Sequence, residues 1–416
     1  MNSGPLSDVV SNQYERWLYP EPIVDLPGWL QHNWQWFDPS HAQRLFWPNR
    51  EPRPELDILI AGCGTNQAAV FAYTNPQAHV VAIDVSQPSL EHQQQLKDRY
   101  GLQNLELHRL PIEAVPSLNR DFDLIVSTGV LHHLAEPETG LKALAACLRP
   151  EGVVALMLYA KYGRIGVEML QGVFRELGLR QNDASILMVR EALASLPQEH
   201  PVMPYIATAP DLKFDAGLVD TFLHGRDRSY SINDCLDLVD AAGLAFQDLL
   251  FKAPYNPPAF SSLAFHASLA ALPQRQRWSL MERINHRNGC HFFTACRADR
   301  PAASYRIDFA AAAASDYVPS LRYRCSLAGN QLCRPNWSTS LDPVQLALLQ
   351  QVDGKRTIRE IVAEALASGV LPQRSRAELE QLGKDLVQTF WLLDVVAIGL
   401  ERTADAALEA PQSVLR

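Results

Sequence analysis

Two glycines that directly follow a predicted strand are the residues with the clearest chemical potential. The apolar run LDILIA (56–61) leads into Gly62-Cys63-Gly64, and a helix is predicted over 66–75. Glycines let the backbone turn tightly and approach a ligand closely. The free N–H groups of a helix N-terminus also favour a polar or anionic group. The pattern therefore predicts a ligand-binding loop between a strand and a helix.

A carboxylate stands at a matching position after the next predicted strand, HVVAIDVS (79–86). Asp84 ends that strand and follows Gly62 by 22 residues. A carboxylate at this point can accept hydrogen bonds from both ribose hydroxyls. The alternative is that Asp84 only caps the helix predicted over 88–100. The spacing favours a nucleoside site, which leaves two cofactor classes: a nicotinamide dinucleotide or S-adenosylmethionine.

The wider strand and helix pattern predicts how these residues are positioned. Further strands are expected at 104–110, 122–130 and 153–160, with helices between them, so crossover connections and a parallel sheet are predicted. Two more strands are expected at 244–254 and 291–298, the last returning antiparallel at the sheet edge. The dinucleotide fingerprint G-x-G-x-x-G lacks its third glycine here.

The chain resembles class I S-adenosylmethionine-dependent methyltransferases, including bacterial protein-lysine methyltransferases with a C-terminal extension. The resemblance covers roughly residues 1–300 and rests on IAGCGTN (60–66), AIDVS (82–86), LPIEAV (110–115), FDLIVSTGVLHHL (122–134) and LRPEGVVALMLYA (148–160). It implies an α/β fold with a Rossmann-like seven-stranded sheet and helices on both faces. It also implies S-adenosyl-L-methionine as cofactor and methyl transfer as the activity.

The resemblance also implies which residues bind the cofactor: the glycine loop under its methionine part, Asp84 at the ribose, and the backbone N–H of Ile112 at the adenine. The full set is Ala61, Gly62, Cys63, Gly64, Asn66, Gln67, Asp84, Val85, Pro111, Ile112, Glu113, Thr128, Gly129 and Val130. Three positions depart from the family: Ile60 and Pro111 where acidic residues are common, and Asn66 in place of a third glycine. Asn tolerates left-handed backbone geometry.

An amine acceptor must lose a proton, so a base or a water path is needed near the methyl group. The candidates are His132, His133, Tyr159, His224 and Tyr230. Each of them alone could equally serve packing. The dense polar block 220–232 is either a wall for the methyl acceptor, with His224, Arg228 and Tyr230 as contacts, or a surface loop of weak ion pairs.

Composition predicts three zones. Residues 1–54 hold five of the eight tryptophans and should pack as an aromatic cap, either as ordinary packing on the flank of the sheet or, as we favour, closed over the cofactor. The resemblance assigns residues 55–300 to the methyltransferase domain, with a helical insertion at about 161–230. Residues 316–405 have three helix patterns and one short strand, which favours a small, mainly α winged-helix-like domain for protein contact or dimerisation.

Charge and cysteine usage limit the partners. The net charge is −9, which argues against DNA, and no apolar run is long enough to span a membrane. The seven cysteines form no C-x-x-C pair, so no metal is expected and a reducing cytoplasmic location is favoured. The acceptor stays open between a protein lysine and a small molecule. The alternative function is a non-catalytic cofactor-binding scaffold.

Overall fold

The computed structural model describes residues 5–259, 261–335, 337–367, 369–371 and 375–400. The chain forms two compact units. The larger unit comprises 1–40 and 53–300, and the smaller unit comprises 41–52 and 301–416. The residues predicted as one cap are therefore divided between the two units, and the predicted domain boundaries stay a prediction.

A seven-stranded sheet organises the larger unit. Its strands are β1 (Asp57–Ala61), β2 (His79–Asp84), β3 (Leu105–Arg109), β4 (Phe122–Thr128), β5 (Leu148–Tyr159), β6 (Leu244–Leu249) and β7 (Cys290–Arg297). The order across the sheet is β3-β2-β1-β4-β5-β7-β6. Neighbouring strands from β3 to β5 pair in parallel, whereas β7 pairs antiparallel with both β5 and β6.

This arrangement confirms the predicted sheet and corrects one detail. Strand β7 is antiparallel as expected, but it lies between β5 and β6, so β6 occupies the sheet edge. The burial pattern gives the physical reason. Every residue of β7 from His291 to Cys296 is buried except Phe292, whereas β6 is only partly buried between its two ends. A strand covered on both faces belongs inside a sheet.

The helices before residue 300 are α1 (Val9–Arg16), α2 (Leu26–His32), α3 (Pro39–Phe46), α4 (Gln67–Thr74), α5 (Gln87–Tyr100), α6 (Pro137–Ala146), α7 (Ile165–Glu176), α8 (Asp183–Ser195), α9 (Met203–Ile206), α10 (Asp215–Phe222), α11 (Ile232–Ala241), α12 (Ala264–Ala270) and α13 (Gln274–Ile284). Most of α3 belongs to the smaller unit, and the others belong to the larger unit with the sheet. Two residues cap α5 at its ends. Ser86 Oγ accepts a hydrogen bond from Ser89 N, and Gly101 ends the helix with a φ of +63°.

Helices α7 to α10 form a helical insertion after β5. Their inward side chains make a separate hydrophobic cluster that includes Val167, Leu170, Phe174, Ile186, Leu218 and Phe222. The insertion therefore has a core of its own beside the core under the sheet. Within the described part of the chain, no helix is both long and apolar enough to cross a membrane.

The smaller unit contains the three predicted helices, α14 (Pro343–Leu349), α15 (Ile358–Ala367) and α16 (Arg376–Leu392). Its strands are β8 (Val318–Leu321), β9 (Ser326–Ala328), β10 (Gln331–Arg334), β11 (Trp337–Ser340) and β12 (Val396–Gly399). Strands β8 and β12 pair antiparallel, and β9 to β11 form a meander. Only β12 was expected from the sequence, and the predicted residues beyond 400 lie outside the described ranges. The winged-helix-like character stays a prediction.

Candidate active site

The glycine loop joins β1 to α4 in the conformation that its sequence predicts. Gly62 and Gly64 both have positive φ, +82° and +52°. The N–H groups of Gly62 and Cys63 donate to the Ile83 carbonyl at 2.9 and 3.0 Å. A Cβ atom on Gly62 would lie 2.5 Å from Val130 Cγ2, so no other residue fits this turn without displacing its neighbour.

Asp84 ties this loop to the end of β2. One carboxylate oxygen accepts a hydrogen bond from Gly64 N at 2.8 Å, and the other accepts one from Ser86 N at 2.9 Å. Burial raises the pKa of Asp84, against the opposing effect of these N–H donors. Each carboxylate oxygen has a second lone pair, so Asp84 can hold the loop and still accept bonds from a ligand.

Asn66 holds the N-terminal segment 19–23 across the loop. Its side-chain oxygen accepts a bond from Ile23 N at 3.1 Å, and its side-chain nitrogen donates to Glu21 O at 2.9 Å. Thr65 Oγ1 donates to Pro20 O at 2.6 Å. The φ of Asn66 is −127°, so the left-handed geometry considered for this position is wrong. Asn66 replaces a glycine because its side chain binds this segment.

A cavity of about 1210 Å³ opens at the carboxyl ends of the parallel strands. All the predicted cofactor residues line it except Ala61, which is fully buried inside β1. Ligand sites typically enclose about 300–1,000 Å³, so this cavity is large enough for a cofactor and an acceptor together. Its other end is lined by Tyr14, Tyr19, His133, Tyr159, Tyr205, Asp211, Arg226, Asn288 and Cys290.

A buried carboxylate, Asp220 on α10, organises this other end. It accepts hydrogen bonds from the hydroxyls of Tyr14 at 2.7 Å and Tyr159 at 3.2 Å, and from Gln13 Nε2 at 3.5 Å. Asp220 is 1% exposed. Burial raises the pKa of Asp220, although His133 and the Tyr14 hydrogen bond oppose the shift. Three elements distant in sequence, α1, β5 and α10, thus meet at one anionic group.

The three predicted histidines lie together, and only His133 lines the cavity. His133 Nδ1 donates to the Arg226 carbonyl at 2.9 Å, and its ring stacks on that of His224 at 3.8 Å. His224 Nδ1 accepts a bond from Arg226 N at 2.9 Å. Burial lowers the pKa of His224 well below its usual value, so the ring is neutral and its proton is on Nε2, facing the Tyr14 oxygen at 3.4 Å.

His132 is a packing residue in this geometry. It is 1% exposed, and its ring stacks on Tyr159 with 3.9 Å between centroids. Neither ring nitrogen has a hydrogen-bond partner in the described part of the chain. Burial lowers the pKa of His132 well below its usual value, with further lowering by His133 and Arg164. A neutral, enclosed imidazole of this kind packs against one face of the Tyr159 ring and holds it in place.

The predicted acceptor wall at 220–232 is split by the fold. Arg226 lines the cavity, but neither Arg228 nor Tyr230 is among the described residues that do. Tyr230 is 5% exposed and packs in the core under the sheet. The reason is a backbone bridge between Ala160 and Tyr230, in which Tyr230 N donates to Tyr159 O at 2.8 Å. This bridge extends the end of β5 and draws Tyr230 into the sheet.

Arg164 is a site residue that the sequence analysis missed. It is fully buried, and its guanidinium carbon lies 3.7 Å from the centroid of the Tyr159 ring. It donates to Tyr205 Oη and to Asp227 Oδ2, each at 2.9 Å. The segment YGRIGVEML (162–170), which contains it, is the signal that could have identified it. Asp220 opens the polar block 220–232, and Tyr14 and Tyr19 lie in the predicted aromatic cap, but none of the three was among the site residues predicted individually.

Two overlapping groups of side chains are close enough to hold a metal: His132 with His133 and Asp227, and His133 with Asp220 and His224. Some of their atoms have other partners: His133 Nδ1 is bonded to a carbonyl, and Asp227 Oδ2 pairs with the Arg164 guanidinium. Both His132 ring nitrogens, His133 Nε2 and Asp227 Oδ1 are buried without a hydrogen-bond partner among the described residues. The expectation of no metal stays a prediction.

Comparisons with known proteins agree with this geometry. Residues 59–154 match the family described as "Methyltransferase domain". An uncharacterized protein of Synechococcus sp., syc1184_c, is 30% identical over 293 residues, which are 67% of this chain and 69% of that protein. A tRNA U34 carboxymethyltransferase of Saccharophagus degradans is 32% identical over 120 residues, 29% of this chain and 37% of its own length.

Solved structures show the same fold over most of the chain. PKMT2 from Rickettsia typhi superposes with a TM-score of 0.63 at 15% identity, covering 92% of this chain and 77% of that one. Its complex with AdoHcy gives a TM-score of 0.61 at 16% identity, over 87% and 75% of the two chains. The chain belongs to the class I S-adenosylmethionine-dependent methyltransferases, and S-adenosyl-L-methionine is its cofactor.

Proposed function

We propose that this protein transfers a methyl group from S-adenosylmethionine to an amine nitrogen, either of a protein lysine or of a small molecule. Asp220 carries the proposal. This buried carboxylate has no ion pair within the described residues, and its partners are hydroxyl and amide groups. A buried charge is costly, and His133 and Arg164 act on Asp220 without forming an ion pair with it among the described residues. Tyr14 and Tyr159 line the cavity and bond to Asp220, so an ammonium in the cavity would add a positive charge that acts on Asp220 through these two hydroxyls.

Other residues at this end of the cavity support a cationic acceptor. Tyr19 donates to Asp211 at 2.9 Å, and Asp211 also lacks an ion pair among the described residues. The rings of Tyr14, Tyr159 and Tyr205 surround the same space. Aromatic faces attract cations. Arg164 and His132 already cover the two faces of Tyr159, so Tyr14 and Tyr205 are the rings that can face a cationic acceptor. Carboxylates and rings together suit an amine better than a carboxylate or a phosphate.

The cofactor end fits S-adenosylmethionine. The positive-φ glycines leave room for close approach, and Asp84 has lone pairs that face the cavity. In this assignment Asp84 accepts bonds from the ribose, while Ile112 and Glu113 lie at the adenine. Thr128, Gly129 and Val130 lie at the methyl group, beside Met157 at the end of β5. The cofactor supplies an activated methyl group when bound.

The remaining task of the protein is to deprotonate and orient the nitrogen. An ammonium must lose a proton before its lone pair can attack. Asp220 can receive that proton through the Tyr159 hydroxyl, because burial raises the pKa of Asp220 and makes its protonated form accessible. His224 Nε2 lies 3.4 Å from the Tyr14 oxygen and so orients this hydroxyl. The nitrogen–carbon bond then forms as the sulfur–carbon bond breaks, and alignment of these atoms is the main catalytic contribution.

The N-terminal segment closes this site in our proposal. Asp8 pairs with Arg226 at 2.9 Å, Tyr14 bonds to Asp220, and residues 20–23 lie on the glycine loop. A cover of this kind excludes water during transfer. We further propose a cytoplasmic location, which agrees with the absence of a C-x-x-C pair among the seven cysteines of the sequence.

The substitution Asp220→Asn tests the proposal. We expect methyl transfer to fall about a hundredfold or more, the usual effect of losing a positioned acid or base, with cofactor affinity unchanged by isothermal titration. In the wild type, the rate should fall as the pH drops through the raised pKa of Asp220, and this limb should vanish in the variant. Asp215→Asn, an exposed residue on the same helix, is the matched control.

Tritiated cofactor with cell lysate identifies the acceptor class. Label on protein lysines or on small amines supports the proposal. Acid precipitation separates labelled protein from labelled small molecules. Label on oxygen or carbon atoms, or a normal rate for Asp220→Asn, would contradict it. Tight cofactor binding without transfer to any acceptor would favour the non-catalytic scaffold instead.

A further inference from the structure

Four cationic side chains lie on one surface of the larger unit, beside the cavity. Lys161, Arg228, Arg283 and Arg287 are all exposed, and we call them the basic rim. Within the described part of the chain, none of the four forms an ion pair. The chain as a whole has a net charge of −9, so a local excess of positive charge stands out against its surroundings.

Segments that are distant in sequence bring the basic rim together. Lys161 N donates a hydrogen bond to Tyr230 O at 2.8 Å, which places residue 161 beside the segment of Arg228. The carboxylate that precedes Arg283 in α13 accepts a hydrogen bond from Ile232 N at 2.8 Å. This bond places the C-terminal end of α13 beside the same segment. Three of the four charges therefore surround the start of α11.

The fourth charge connects the basic rim to the cavity. Arg287 lines the cavity together with Asn288 and Gly289. The loop that carries it is held on two sides, because Ala160 N donates to Gly289 O at 2.9 Å and Asn288 Nδ2 donates to Tyr255 Oη at 2.8 Å. Arg287 thus projects from a fixed loop at the point where the cavity meets the surface.

The carboxylates of the same segments are engaged elsewhere. Glu282 is 4% exposed and accepts its hydrogen bond at the start of α11. Asp234 caps that helix, where it accepts bonds from Ser231 N at 2.8 Å and from Ser231 Oγ at 2.7 Å. Asp227 pairs with the buried Arg164 at 2.9 Å. The positive charge of the basic rim therefore faces solvent and is available to a partner.

We propose that the basic rim binds an acidic segment of a protein acceptor, so that the methylated lysine is one flanked by aspartate or glutamate. This inference rests on the proposed function, which assigns the cavity to an amine. Three of the four rim residues are arginines, whose planar donor fork matches a carboxylate. The flanking carboxylates would lie on the rim while the lysine enters the cavity, where Asp211 lies.

A nucleic acid is the other polyanion that four exposed cations could attract. The net charge of −9 opposes a ligand with one negative charge on every nucleotide. A nucleobase also has no ammonium group to place beside Asp211 and the tyrosine rings. Positive charge at the rim and carboxylates deeper in the cavity match a chain in which carboxylates surround a single ammonium. An acidic peptide is therefore the proposed partner.

Two fluorescent peptides test this assignment on the full chain by anisotropy. Each has one central lysine, which is flanked by glutamates in one peptide and by glutamines in its twin. The glutamate peptide should bind about tenfold more tightly, because several exposed ion pairs act together although each contributes little. This difference should shrink as salt is added.

The variant Arg228→Glu/Arg283→Glu should abolish the preference for the glutamate peptide. Both residues are exposed, so circular dichroism and cofactor titration should be unchanged. Arg175→Glu/Arg180→Glu makes the same change of charge at two exposed arginines of the insertion and is the matched control. The preference should persist in this control, which separates the basic rim from the effect of net charge.

Equal affinity for the two peptides, or a preference that survives Arg228→Glu/Arg283→Glu, would overturn the proposal. So would a single-stranded RNA that displaces the glutamate peptide and depends on the same two arginines, because nucleic acid would then be the ligand of the rim. Tritiated cofactor tests the proposed function separately. A preference for the glutamate peptide without methyl transfer to its lysine would support the basic rim and contradict the amine acceptor.

Discussion

The two ends of the cavity are built in different ways. At the cofactor end, the cavity is formed by consecutive residues of short loops. These are the turn from Gly62 to Gly64 and Asp84 at the end of the next strand. At the other end of the cavity, where we propose that the methyl acceptor binds, single side chains from distant segments converge. Tyr14 and Tyr159, for example, both bond to Asp220. We call this the acceptor end. The first end rests on backbone geometry and the second on side-chain placement.

This difference predicts how each end responds to substitution. Backbone-built sites tolerate few residue types, because only glycine adopts the required φ without strain. Side-chain networks tolerate changes at single members, but their members are coupled. Changes at the cofactor end should therefore weaken cofactor binding, and changes at the other end should reduce turnover.

The largest effect on cofactor affinity is expected for Asp84→Ala. Loss of this carboxylate removes the acceptor of the Gly64 N–H and the proposed partner of the ribose. A charge-assisted hydrogen bond contributes about 1.5–3 kcal/mol, so cofactor affinity should fall about ten- to hundredfold. Isothermal titration measures this directly, with Asp98→Ala at an exposed position as control. An unchanged dissociation constant would remove Asp84 from the ribose site.

A smaller effect on turnover is expected for Tyr14→Phe and Tyr159→Phe. Each loses one hydrogen bond to the buried Asp220, which leaves that carboxylate less well satisfied. We expect kcat/KM to fall about tenfold in each single variant, with cofactor affinity retained. The double variant should lose less than the product of the two single effects, because both hydroxyls act on one group. Strict additivity would show that the two tyrosines act independently.

The smallest effect is expected for Asn66→Gly, which restores the third glycine of the family pattern. The φ of −127° at this position suits glycine, so the loop itself should keep its shape. The variant loses both side-chain bonds to residues 21 and 23. We expect cofactor affinity to weaken about three- to tenfold, mainly through faster dissociation in stopped-flow traces. Asn119→Gly, in an exposed turn, serves as control; tighter cofactor binding by Asn66→Gly would contradict the role assigned to Asn66.

The local sequence pattern was sufficient to predict the cofactor end of the cavity. Apolar runs ending in glycine or aspartate identify strands and their carboxyl edges, and the residues expected there line the cavity except Ala61, which faces the core. The role of Asn66 was missed, because its partners lie more than forty positions earlier in the chain. The predicted position of β7 at the edge of the sheet was also wrong, because strand patterns give no information about which strands lie side by side.

The acceptor end could not be predicted in the same way. Asp220 looks like any acidic residue in a polar stretch until the fold brings Tyr14 and Tyr159 to it. Tyr230 looked equally suitable, but a backbone bridge to Ala160 turns it into the core. The short strands of the smaller unit were missed because strands of three or four residues carry too little periodicity.

The N-terminal segment that lies on both the glycine loop and the acceptor end has a kinetic consequence. Residues 20–23 contact Thr65 and Asn66, while Asp8 and Tyr14 contact Arg226 and Asp220. One segment therefore contacts both ends of the cavity. We expect the spent cofactor and the methylated product to leave by movement of this same segment, so a substitution that fixes it in place should slow the release of both.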